Sequence, residues 1–213
     1  MNSLTSAIDD LYKAFADVAR PEMIHACPCC MTADEVDLLL AKPLRGLSAD
    51  ELSSYASSAL LTVGDVSDYL YFLPRILEIS IFDDSWWPDI EVSGRKIKMT
   101  DATSWPTERF TALSDFFHAA ADRILELKNY GRIDEWMCAI ASIQLELQPF
   151  LARIGSDPDA VLEYFKANAK CLPVSKLCNP FWENPGPEHN EIVNWFKSGT
   201  VSKILFDTYG YKT

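Results

Sequence analysis

Residues 32–61 read TADEVDLLLAKPLRGLSADELSSYASSALL, and one short signature opens twice within them. Thr32 stands three residues before Glu35, and Ser48 three before Glu51. A hydroxyl at the first position accepts from an exposed amide of the first helical turn, and the glutamate accepts from the amide of the capping residue. Each pair therefore predicts a helix start, over "ADEVDLLLAK" and over "ADELSSYASSALL". Pro43 stops the first, and Gly64 with Asp65 separates the second from "VSDYLYFLPRILEISIF". Pro74 falls inside that third pattern and predicts a kink or short break between Tyr71 and Arg75.

Helical periodicity extends in both directions. Leu4, Ile8, Leu11, Phe15 and Val18 form one apolar face near the N-terminus. Past Pro106, Phe110, Leu113, Phe117, Ala120, Ile124 and Leu127 make a longer stripe, with Gly131 as its expected end. "IDEWMCAIASIQLELQPFLARI" is apolar on more than one side and reads as a central buried helix. Asp157 followed by Pro158 opens another, and "EIVNWFKSGTVSKILFDTYGY" supplies one or two more. Between residues 83 and 105 the pattern is irregular, and the alternation of "IEV" and "KIKM" around Ser93-Gly94 predicts one small β-hairpin near residues 90–99. The expectation is an all-α chain of about eight helices, in a bundle or in stacked antiparallel pairs, forming a single helical domain over 1–213.

The chain has 48% hydrophobic and 23% charged residues, the balance of a globular protein able to bury a core. Its formal net charge is -12. A field of that sign repels phosphate backbones and suits encounter with a basic protein, so no nucleic-acid partner is expected. Apolar runs fall well below the roughly 20 residues that cross a bilayer, which argues against a membrane partner. The first twenty residues lack the basic start and apolar centre of a secretion signal, so the protein is expected to be cytoplasmic with reduced thiols.

Cysteine is concentrated in "HACPCC", residues 25–30. Cys27 and Cys30 have the C-x-x-C spacing of a zinc-binding turn, with Cys29 and His25 as neighbouring donors. A tetrahedral site needs two more ligands, and Cys171 with Cys178 is the best remote pair, giving a candidate structural zinc on Cys27, Cys30, Cys171 and Cys178. A thiol enzyme using Cys27 as nucleophile is a second reading, because a helix start just beyond the motif lowers a thiol pKa. A turn with one or two buried thiols is the third, and Cys138 belongs in the core on that same argument.

A second segment combines charge with aromatic area. In "FDDSWWPDIEV", Asp83, Asp84 and Asp89 surround Trp86 and Trp87. Tryptophans anchor interfaces and acids orient a basic partner, so these five residues are the candidate protein-binding set. Tryptophans that plug a core make the competing reading, and Phe181, Trp182 and Glu183 share that ambiguity. The sequence contains no G-x-S-x-G, no phosphate-cradling glycine loop and no H-E-x-x-H.

"CPCC" followed by "PLRGLSADELSSYASSALLTVGDVSDYLYFLPRILE" resembles a bacterial protein family marked by an N-terminal C-P-x-C and an F-L-P-R-I-L-E tract. The resemblance covers about the first third of the chain and implies a bacterial source without assigning an activity. Small acidic bacterial proteins lacking catalytic motifs are similar in composition to immunity proteins. The functional expectation is therefore a non-enzymatic binding protein that neutralises a basic toxin domain, with a zinc-stabilised adaptor or a thiol redox enzyme as alternatives.

Overall fold

Side-chain oxygens open the early helices where backbone amides would otherwise lack partners. A computed structural model describes residues 3–182 and 186–210. Ser3 caps α1 (Leu4–Ala14). Thr32 caps α2 (Ala33–Ala41) and Ser48 caps α3 (Ala49–Ser58), each with the reciprocal glutamate bond in place. Asp65 and Asp68 make a third capping box, at the start of α4 (Val66–Phe82). Then follow α5 (Ile90–Met99), α6 (Thr107–Glu126), α7 (Ile133–Ser142), α8 (Gln148–Gly155), α9 (Pro158–Asn168), α10 (Pro187–Phe196) and α11 (Gly199–Tyr209). The chain is all-α, with eleven α-helices and no strand among the described residues, more helices than the eight expected. It divides into two compact units, 1–116 and 117–213, with the division inside α6.

In the first unit α4 is the hub, packed against α1, α3 and α5. Tyr69, Phe72, Leu73, Ile76 and Leu77 are fully buried along it. Of the kink or short break expected at Pro74, the break does not occur: α4 runs through the buried proline as one helix. A proline removes a single backbone donor, and contacts on several sides hold the turns around it. Its neighbours make a polar clamp. Arg75 donates through Nε to the Leu47 carbonyl (2.9 Å) and through Nη1 to Glu78 (2.7 Å), while Tyr12 of α1 donates to the same Glu78 oxygen (2.7 Å). The RILE portion of the FLPRILE tract therefore has a packing role, joining α1 and the 44–47 turn to the hub.

The hairpin expected near 90–99 is replaced by α5. The residues that alternate as a strand also recur as a helix face: Ile90, Ser93, Gly94 and Ile97 are all buried. Ser93-Gly94, read as a turn, are small residues on that face, where Tyr69 Oη donates to the Ser93 carbonyl (3.3 Å). Lys96 is buried beside them and donates from Nζ to the Ala56 carbonyl, in the last turn of α3, where a helix leaves carbonyls unpaired. Burial pulls its ammonium down to about 8.

In the second unit α9 touches α7, α8 and α11. Tyr164 of α9 is buried against Trp195 and Phe196 of α10, with ring centroids 6.0 and 4.8 Å away. The long central helix expected from residue 133 is interrupted after α7, where Gln144 adopts φ 61°, and the chain resumes as α8 with Pro149 in its first turn. Cys138 lies in the core of α7 as expected.

Candidate functional site

The cysteine turn is built between two local anchors. On its N-terminal side, Ala26 and Val63 form an antiparallel bridge, and the Cys27 amide donates to the Thr62 carbonyl (2.9 Å) while the Gly64 amide donates to the His25 carbonyl (2.8 Å). The chain then reverses, with the amides of Cys30 and Met31 both donating to the Cys27 carbonyl (2.9 and 3.1 Å). On the far side Thr32 caps α2; its partner Glu35 also accepts from Ser54 of α3 (2.8 Å). A short irregular segment is thereby fixed at both ends.

Three sulfurs emerge from this turn. Cys29 is exposed, Cys27 and Cys30 are half-buried, and all three Sγ atoms lie within 4.8 Å of one another. Cys27 and Cys29 Sγ are 2.7 Å apart, and Cys29 and Cys30 Sγ 3.7 Å. The thiols share protons unequally. A hydrogen bond from Cys29 holds Cys27 below the ordinary thiol range, and the same bond pushes Cys29 up to about 11. Cys27 therefore forms a thiolate before Cys29 does. The cluster can hold a metal ion such as zinc.

The remote pair expected to complete a zinc site is engaged elsewhere. Cys171 and Cys178 are bonded to each other, with Cα atoms 5.5 Å apart, so neither is a thiolate donor and the expectation of six reduced cysteines fails. The backbone explains the pairing. The Cys171 amide donates to the Asn168 carbonyl (2.9 Å), the Lys176 amide returns to the Cys171 carbonyl (3.2 Å), and the Cys178 amide donates to Asn168 Oδ1 (2.8 Å). Asn168 is wholly buried at the end of α9 and gives its own amide to Asp134 (3.0 Å). His189 adds a second pin: its Nε2 accepts from the Leu177 amide (3.2 Å). Sequence reasoning missed Asn168, whose only signal is a polar residue at a buried helix end.

The acidic aromatic segment separates into an inner and an outer half. Trp86 is 7% exposed and donates from Nε1 to the Ala49 carbonyl (2.8 Å), so it is core. Glu91 is buried in α5. Trp87 is 54% exposed, its carbonyl held by the Ser53 hydroxyl (2.7 Å). Phe82, at the end of α4, is 63% exposed and joins Trp87 as an aromatic that the sequence set did not include. Asp84 and Asp89 are exposed, while half-buried Asp83 is occupied within the turn by the amide and hydroxyl of Ser85 (3.0 and 2.8 Å). Of the later aromatic group, Trp182 is buried and Glu183 lies outside the described residues.

In the second unit, an apolar cavity of about 20 Å³ is lined by Ile124, Leu125, Trp136, Met137 and Phe150. It has room for about one water-sized sphere, so it is a packing defect. No helix of the described residues is long and apolar enough to cross a membrane. No protein-family model, curated protein or solved structure matches the chain.

Proposed function

We propose that this is a non-enzymatic binding protein that acts in the cytoplasm as an immunity or inhibitor protein, covering a basic toxin domain through its 82–89 turn. One observation carries the reading: two large aromatics, Phe82 and Trp87, stand exposed at the ends of a turn whose acids Asp84 and Asp89 are also exposed. A net charge of -12 steers a cationic partner toward such a surface and sets the protein against nucleic acid. Aromatic area then retains the partner once water is excluded around it. Trp86, locked beneath the turn, and the Ser53 bond to the Trp87 carbonyl hold the platform in place before binding, which lowers the ordering cost of association.

The test is to examine the neighbouring genes for a basic toxin domain and to titrate the protein against it. We expect a one-to-one complex whose association slows as salt is raised. Trp87→Ala is expected to weaken it by about 30-fold while changing stability by less than about 0.5 kcal/mol. Trp86→Ala, by contrast, is expected to cost about 3 kcal/mol of folding stability. Gene neighbours that encode no basic toxin domain, or full affinity in a Phe82→Ala, Trp87→Ala protein, would refute the proposal.

A further inference from the structure

The cysteine turn carries chemistry that partner binding leaves unused. We propose that Cys27, Cys29 and Cys30 bind one thiophilic d10 ion through three thiolates, holding Cu(I) in preference to Zn(II). Their sulfurs already share one small volume, within 4.8 Å of one another. Two thiolates bound to one ion at about 2.3 Å sit roughly 3.7–4 Å apart. Cys29 and Cys30, at 3.7 Å, have that spacing, and Cys27 and Cys29 reach it by opening about 1 Å from 2.7 Å, a modest rotation of side chains on an open turn.

Among the described residues, the surroundings argue for three ligands and not four. Cys171 and Cys178 are consumed in a disulfide, and Cys138 is buried in α7. His25 is not among the group that gathers with the three sulfurs. Soft thiolates select Cu(I) and Zn(II) over harder ions. Three of them complete a trigonal Cu(I) site but leave tetrahedral Zn(II) one ligand short, to be filled by water. On binding, three S–H protons pass to solvent as three sulfur–metal bonds form, so no oxidant or reductant is consumed. The adjoining N-terminus of α2 favours the negative charge that results. The bridge at Ala26–Val63 and the Thr32 cap hold the turn on either side, so little chain entropy is lost when the ion enters.

The experiment is an anaerobic competition titration of the folded protein, with a chromophoric Cu(I) chelator in one arm and a zinc dye in the other. We expect one equivalent of Cu(I), able to displace Zn(II). Affinity should fall at least 100-fold in each of Cys27→Ser, Cys29→Ser and Cys30→Ser, and stay unchanged in the Cys171→Ser, Cys178→Ser double variant. Matching far-UV spectra keep folding out of the comparison. Several results would overturn the proposal: no stoichiometric uptake, wild-type affinity in Cys30→Ser, loss of the site in the double variant, or Zn(II) that Cu(I) does not displace.

Discussion

The segments 27–30 and 171–178 hold five of the six cysteines and put them to opposite uses. In the first, two backbone bonds to one carbonyl reverse the chain so tightly that three sulfurs project from one turn and remain thiols. In the second, a wider loop is drawn back onto the buried Asn168, and its two sulfurs meet each other. What decides the fate of a cysteine here is the backbone route between the residues and the polar side chain that anchors it. Sequence spacing alone does not carry that information.

The comparison breaks most visibly at the anchor. Asn168→Leu removes, from a wholly buried position, the donor to Asp134 and the acceptor for the Cys178 amide, and is expected to cost about 3 kcal/mol by chemical denaturation. Burial already holds the Asp134 carboxyl above the usual carboxylate range, opposed by hydrogen bonds of which Asn168 supplies the largest. A carboxyl raised further penalises its ionised form in the folded state, and protonation relieves that penalty. The loss should therefore be larger at pH 7 than at pH 4. An equal loss at both would show that Asp134 does not take part.

Opening the disulfide comes next. Cys171→Ser, Cys178→Ser releases a short loop and is expected to lower stability by about 2 kcal/mol, read as a shift in denaturation midpoint with an unchanged slope. The thiol turn gives a smaller and different response. With Cys27 held below the ordinary thiol range and Cys29 pushed up to about 11, alkylation of the metal-free protein should label Cys27 before Cys29 as pH rises, and Cys29 only as pH nears 11. Cys27→Ser should return Cys29 toward ordinary reactivity, because its main perturbing hydrogen bond is gone. Smallest of all, single serine substitutions at Cys27, Cys29 or Cys30 should move the stability of the metal-free protein by less than about 0.5 kcal/mol, since these side chains are not buried.

The same contrast explains what could be read in advance. Thr32 with Glu35 and Ser48 with Glu51 were legible because a capping box is local, and both helices begin where those residues stand. The Asp65–Asp68 box follows the same logic with a carboxylate in both roles. Residues 90–99 were misleading because a short run with isoleucines at both ends satisfies strand and helix periods alike, and packing on α4 decides between them. Trp86 and Trp87 could not be separated, since neighbouring side chains point in different directions and only the fold says which points inward. Cys27, Cys29 and Cys30 were visible as a cluster for the same reason as the caps: their proximity is nearly all local. The pairing of Cys171 with Cys178 depends on Asn168 and His189, which announce nothing in the sequence.

Mass-spectrometric mapping of the protein isolated without reductant tests the division between these two sulfur regions most directly. Alkylation under denaturing conditions should label four thiols, Cys27, Cys29, Cys30 and Cys138, and leave Cys171 and Cys178 joined in a single linked peptide. Alkylated Cys171 or Cys178, or a disulfide joining either of them to the N-terminal turn, would contradict it.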